Sequence, residues 1–137
     1  MNNKIQWQPI SKLPTFTAFI DDWVKNLDEQ YQTMLPAKDK PYLLDNYTVE
    51  RIFKVIGEQK EDVWMWETQL EKWGKDKILS EQMKEVERLQ KQVICIKELI
   101  DKILELAKYL KGNTIEKVMA KDDMELAMEF IMGKRKF

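Results

Sequence analysis

No histidine occurs anywhere in these 137 residues. That excludes a serine triad with an imidazole base, a cysteine–histidine pair, the zinc-protease motifs and di-iron sites built on Glu-x-x-His. A single cysteine, Cys95, admits no intramolecular disulfide and cannot make a zinc site alone; it fits a reducing compartment. The four glycines, Gly57, Gly74, Gly112 and Gly133, lie too far apart for a phosphate-cradling loop. Neither serine, Ser11 or Ser80, stands in a nucleophile-elbow setting. An enzyme built from this chain would have to work with carboxylates and lysines, through a divalent metal.

Long apolar runs are missing as well. No stretch approaches the ~18 consecutive apolar residues of a membrane span, and residues 1–13 carry no apolar run of signal-peptide length. The expectation is a cytoplasmic protein with no membrane contact. Nor does either sign of charge dominate: 23 basic and 24 acidic residues leave a net charge of -1. A general nucleic-acid or membrane-surface binder needs a concentrated positive field, which argues against both. Only the basic tail of residues 133–137, with Lys134, Arg135 and Lys136, offers phosphate a contact, and charges at a chain end are usually just solvated.

What remains is suited to helices. Four glycines and four prolines leave few break points, which favours long helices over many short strands. The length suits one domain over residues 1–137, burying roughly two-thirds of its unfolded surface. Residues 1–14 read as an irregular arm, because Pro9 and Pro14 bias the residues before them away from helix. Ile5, Trp7 and Ile10 are placed to tie that arm down.

Three apolar stripes at helical spacing follow. Phe16, Ile20, Trp23, Leu27, Tyr31 and Met34 predict a helix over 15–35, ended by Pro36. Residues 36–46 read as a connection. Val49, Ile52, Ile56, Gln59, Val63, Trp66, Leu70 and Trp73 predict a second helix, capped within 46–48 and stopped at Gly74. Gln59 alone breaks its apolar rule, as a device fixing register or as a residue at a wet end. Val86, Leu89, Val93, Ile96, Ile100, Ile103, Ala107 and Leu110 hold the same spacing through a third helix over 80–111, capped by Ser80 and ended by Gly112 and Asn113. Its seam is narrow near Gln82 and Gln92 and widens where Leu99, Leu104 and Leu106 join, so its second half should lie deepest. Two cap patterns, Asn113 with Glu116 and Asp122 with Glu125, predict short helices over 114–120 and 123–132. The expected fold is all-α: an antiparallel helical bundle of three long helices plus one or two short C-terminal ones, with a coiled-coil-like long helix hairpin.

Two sets of residues carry functional readings. Val63, Trp64, Met65 and Trp66 are consecutive, so they cover every side of a helix. Met124 and Met128 stand in an apolar C-terminal segment whose flexible thioethers adapt to irregular surfaces. Trp64, Met65, Met124 and Met128 are therefore the candidate partner-binding residues of a non-catalytic interaction module: a small adaptor or regulator that presents a helical face to another protein helix, forms a homodimer and uses no cofactor. Core packing and closure of the bundle are the plainer readings of the same residues. In an alternative reading, Glu58 with Glu61 and Glu98 with Asp101 each sit three apart on one helix face, and two such pairs face to face would hold Mg²⁺. These spacings resemble the Glu-x-x-Glu and Glu-x-x-Asp pairs of helical nucleoside-triphosphate pyrophosphatases of the MazG type. The resemblance covers these spacings alone, and it implies a Mg²⁺-dependent hydrolase of a phosphorylated small molecule. The apolar seams point both pairs outward, where lysines such as Lys60 and Lys97 would solvate and neutralise them. Regulation through nucleic acid, by way of the basic tail, is a second alternative.

Overall fold

A computed structural model describes residues 6–115 and residue 119, and the described residues are helical with no strand among them. A single 3₁₀ turn at Ile10–Lys12 leads into α1 (Leu13–Met34); α2 is a four-residue turn (Pro36–Asp39), followed by another 3₁₀ turn at Pro41–Leu43; α3 spans Asn46–Lys75 and α4 spans Ser80–Lys111. No helix among the described residues is long and apolar enough to cross a membrane. The predicted helices over 114–120 and 123–132, with Met124 and Met128, lie outside the described residues, Thr114, Ile115 and Met119 apart.

The boundaries depart from the sequence reading for identifiable reasons. Pro14 sits inside the first turn of α1, where its missing N–H would have had no partner and its fixed φ suits the helix; the helix therefore begins before the second proline of the arm. The connection at 36–46 is shorter than expected because Pro36 opens α2 and buries Ala37. Asp45, one residue ahead of the predicted caps, takes the N-cap of α3 by accepting a 2.8 Å hydrogen bond from the Thr48 backbone N–H. At the other end α3 runs one residue past Gly74, to Lys75. Ser80 is inside α4 rather than capping it; Gln82 Oε1 instead accepts from the backbone N–H of Leu79 at 2.9 Å. Asn113 ends α4 together with Gly112, as its place after the third stripe predicts: its side-chain amide donates to the Tyr109 carbonyl at 3.0 Å.

Burial follows a seven-residue step. In α1 the buried row is Leu13, Ile20, Leu27 and Met34; in α3 it is Val49, Ile56, Val63 and Leu70. α4 carries two such rows, Val86–Val93–Ile100–Ala107 and Leu89–Ile96–Ile103–Leu110, and its second half adds Leu99 and Leu106. The widening of its stripe seen in the sequence is thus a widening of burial. Seven is two turns of helix, so each row stays on one face and meets one neighbour. With two rows, α4 serves two neighbours: it packs closely along both α1 and α3, while the backbones of α1 and α3 scarcely approach each other.

Named contacts fix the directions. Thr17 pairs with Glu85, Asp21 with Arg88, and Lys102 lies over the Tyr31 ring, so α1 and α4 run the same way. Glu67 pairs with Lys97 and Lys60 with Asp101, so α3 runs against α4. The N-terminal arm is tied down at Gln8: its N–H donates to Gln69 Oε1 at 2.6 Å and its carbonyl accepts from Trp73 Nε1 at 2.9 Å.

A polar clamp locks α1 to α4. Arg88 makes a two-pronged contact with Asp21, at 3.0 and 2.9 Å, and also reaches both oxygens of Glu85; Gln92 donates to Asp21 as well. The Arg88 hydrogen bonds hold the Asp21 and Glu85 carboxyls below the usual carboxylate range, against a smaller opposing effect of burial, and the two carboxylates in turn raise the guanidinium. Depressed carboxyl values stabilise the fold above the unfolded range near pH 4, and that stability is lost as pH falls through the lower folded values. With the partners about 40% exposed, the clamp contributes about 1 kcal/mol. Urea unfolding of Arg88→Gln should show a loss of that size at pH 7. The gap to the parent should close below about pH 4, and a gap that persists unchanged in acid would mean that the clamp's charges contribute nothing.

Candidate functional site

Opposite α4, the side chains of α1 and α3 meet through aromatic rings. Trp66 is central: it stacks on Phe19 with centroids 4.4 Å apart and planes 3° from parallel, and it contacts Phe16 at 4.7 Å and Trp23 at 6.0 Å. Phe16 also meets Trp73 at 4.7 Å. These rings all come from the predicted helix faces, apart from Phe19. Offset and edge-on ring pairs of this kind are favoured beyond the area they bury. Rings this large hold the two backbones apart.

Beside the cluster, toward the C-terminal end of α1, the separation leaves an open groove of about 540 Å³. Its walls are Phe19, Trp23 and Leu27 from α1 with Val55, Ile56 and Trp66 from α3. The polar groups along it are Asp22, Asn26, Gln30, Gln59 and Asp62, with no lysine or arginine. Two large apolar side chains are notably exposed here: Phe19 at 51% and Val55 at 38%. At the junction of the walls Trp23 Nε1 donates to Gln59 Oε1 at 2.7 Å. This explains the polar break in the α3 stripe: Gln59 satisfies an indole N–H from α1 where an apolar residue would leave it without that partner.

The four consecutive apolar residues of α3 point four ways. Val63 is buried beside α4, Trp66 joins the aromatic cluster, and Met65 is half-buried in a depression under the N-terminal arm with Trp7 and Phe16. Trp64 is 50% exposed on the α4 flank of α3, beside Lys97 and Asp101. Trp64 and Met65 therefore do not form one surface, and neither lines the groove.

The paired carboxylates are solvent-facing. Glu58, Glu61 and Glu98 are exposed, and Asp101 is held by Lys60 at 3.3 Å. Among the described residues no three acidic or cysteine side chains gather into a group able to hold a metal ion. Cys95 is half-buried against the core. Sequence reasoning did not single out Phe19, Val55, Asp22 or Gln69. The first two lie off the stripes, and Gln69, 3% exposed, is a buried polar residue whose role depends on where the arm lands.

No protein-family model, no curated protein and no solved structure matches this chain. The groove and its chemistry are therefore what bears on function.

The Trp23–Gln59 pair makes an asymmetric prediction. Removing one partner strands the other, whereas removing both leaves an apolar contact. Gln59→Leu should lower unfolding stability by about 1–2 kcal/mol, and Gln59→Leu with Trp23→Phe should recover part of that loss relative to the sum of the single changes. Strictly additive losses in urea melts would show that the hydrogen bond does not couple the two helices.

Proposed function

We propose that this chain is a non-catalytic protein-interaction module whose α1–α3 groove takes an amphipathic helix bearing basic residues. The single observation that carries this reading is the open groove itself, apolar on both walls and edged by Asp22 and Asp62 without a cation. A helix in a groove is recognised through apolar anchors at steps of three and four, and aromatic walls are the surfaces on which such anchors gain most. The carboxylates select against acidic helices, since an unpaired like charge at a contact is costly. The seven-residue burial rows of α1, α3 and α4 support the related reading of the long helices as a bundle with coiled-coil-like packing, a scaffold stiff enough to hold the groove open.

The test uses two synthetic helices of equal apolarity, one with lysines on its polar face and one with glutamates. The emission of Trp23 and Trp66 should respond to the lysine helix and much less to the glutamate helix. Val55→Lys should weaken the lysine helix at least tenfold, a loss of about 1.4 kcal/mol or more, while Trp64→Lys on the other flank of α3 should leave it unchanged. Equal response to both helices, or equal sensitivity at the two positions, would remove the groove from the interaction. Molar mass in solution, measured alongside, would assign the groove to a second copy if the protein alone proves dimeric and Val55→Lys makes it monomeric.

A further inference from the structure

We infer that the groove is regulated from within the chain: residues 122–136 dock in it and compete with an incoming helix. This rests on the reading of the groove as a helix-binding site. Three observations converge on this segment as occupant.

The first is where the chain leaves the described helices. After α4, Thr114 is fully buried and its hydroxyl meets Asn46 Oδ1 at 2.6 Å, and the Ile115 N–H donates to the Leu44 carbonyl at 3.0 Å. The chain is thereby pinned beside the start of α3, at the end of α3 from which the groove is entered. The second is length. Along α3 the groove extends from Val55 to Trp66, about 16 Å at 1.5 Å per residue. With Lys134 level with Asp62, the predicted helix over 123–132 ends near the level of Gln59 and sets Ala127, Met128 and Ile131 along the groove from Val55 onward. Nine residues of α3, about 13 Å, separate Asn46 from Val55, and residues 116–126 cover that distance even at the helical rise of about 1.5 Å each.

The third is complementarity. Met124, Ala127, Met128 and Ile131 fall at steps of three and four, giving one apolar face to lie on the groove walls. Running up the groove from its entry, the segment brings Lys134, Arg135 and Lys136 to the level of Asp22 and Asp62, the carboxylates edging the groove. The chain's own end thus has the apolar and basic features ascribed to a partner helix.

The experiment is made on the full chain. With Cys95→Ser as background, Asp62→Cys plus Lys134→Cys should close a disulfide under mild oxidation and run at monomer mass. The control pair, Trp64→Cys plus Lys134→Cys, should not. Cross-linking at dimer mass, equal cross-linking in the control, or none in either pair overturns docking in cis. Separately, Met128→Glu with Ile131→Glu should raise affinity for the synthetic lysine helix at least tenfold by releasing the competitor. Unchanged affinity overturns the regulatory inference but leaves the groove a helix site. If the lysine helix binds neither the parent nor the released variant, the proposed function falls, and a monomeric Asp62–Lys134 link would then show a groove filled only by its own chain.

Discussion

α4 has two buried rows where its neighbours have one, and the rest of the architecture follows from that inequality. Val86, Val93, Ile100 and Ala107 on one row, with Leu89, Ile96, Ile103 and Leu110 on the other, give α4 an apolar face wide enough for two partners. α1 and α3 each offer a single deep row and spend it on α4. Their remaining half-buried faces turn toward each other, and there the sequence places rings rather than small residues. A helix pair needs small or interlocking side chains to approach within the usual 8–10 Å. Phe16, Phe19, Trp23 and Trp66 fill that space instead.

The groove is thus a consequence of packing geometry. The rings satisfy one another at the end nearest Trp73, where Phe16 lies between Trp66 and Trp73. Farther along, the facing residues shrink to Leu27, Val55 and Ile56, so helices held apart by rings have less to put between them. The Trp23–Gln59 hydrogen bond lies at this change. A directional bond there fixes the axial register of α1 against α3, which nondirectional apolar contact would leave less defined. On the opposite side the Asp21–Arg88–Glu85 clamp fixes α1 against α4.

Much of the fold was legible because helical periodicity reports burial directly. Every residue of the α4 seam is buried, and so is the deep row of α1 from Ile20 onward. N-cap assignments were less legible: Asp45 and Leu79 took roles that depend on one or two dihedral angles and on which nearby group is free to pair. The groove was the least legible part. Its walls mix residues from the stripes, such as Trp23 and Trp66, with Phe19 and Val55, which a single-helix pattern marks as exterior. No one-dimensional pattern states that two helices share a neighbour and stand apart. The Trp64–Met65 pair shows the converse. Adjacent residues on a helix diverge by about 100°, so a run of apolar residues advertises one surface in the sequence and supplies several in the fold.

In the docking reading, the division of labour within the groove follows from magnitudes. The net charge of -1 gives the molecule little long-range pull on a basic helix, and at physiological salt whatever field exists fades within about 8 Å. Asp22 and Asp62 therefore act at contact range, choosing orientation and rejecting acidic sequences. Affinity has to come from the walls, where each Å² of apolar surface removed from water contributes about 25 cal/mol. Much of that gain goes to offset the cost of ordering the incoming helix. A segment of the same chain, already pinned at Thr114 and Ile115, escapes most of the translational part of that cost. A modest apolar face, such as the one from Met124 to Ile131, is then enough to compete with a better-fitting helix arriving from solution.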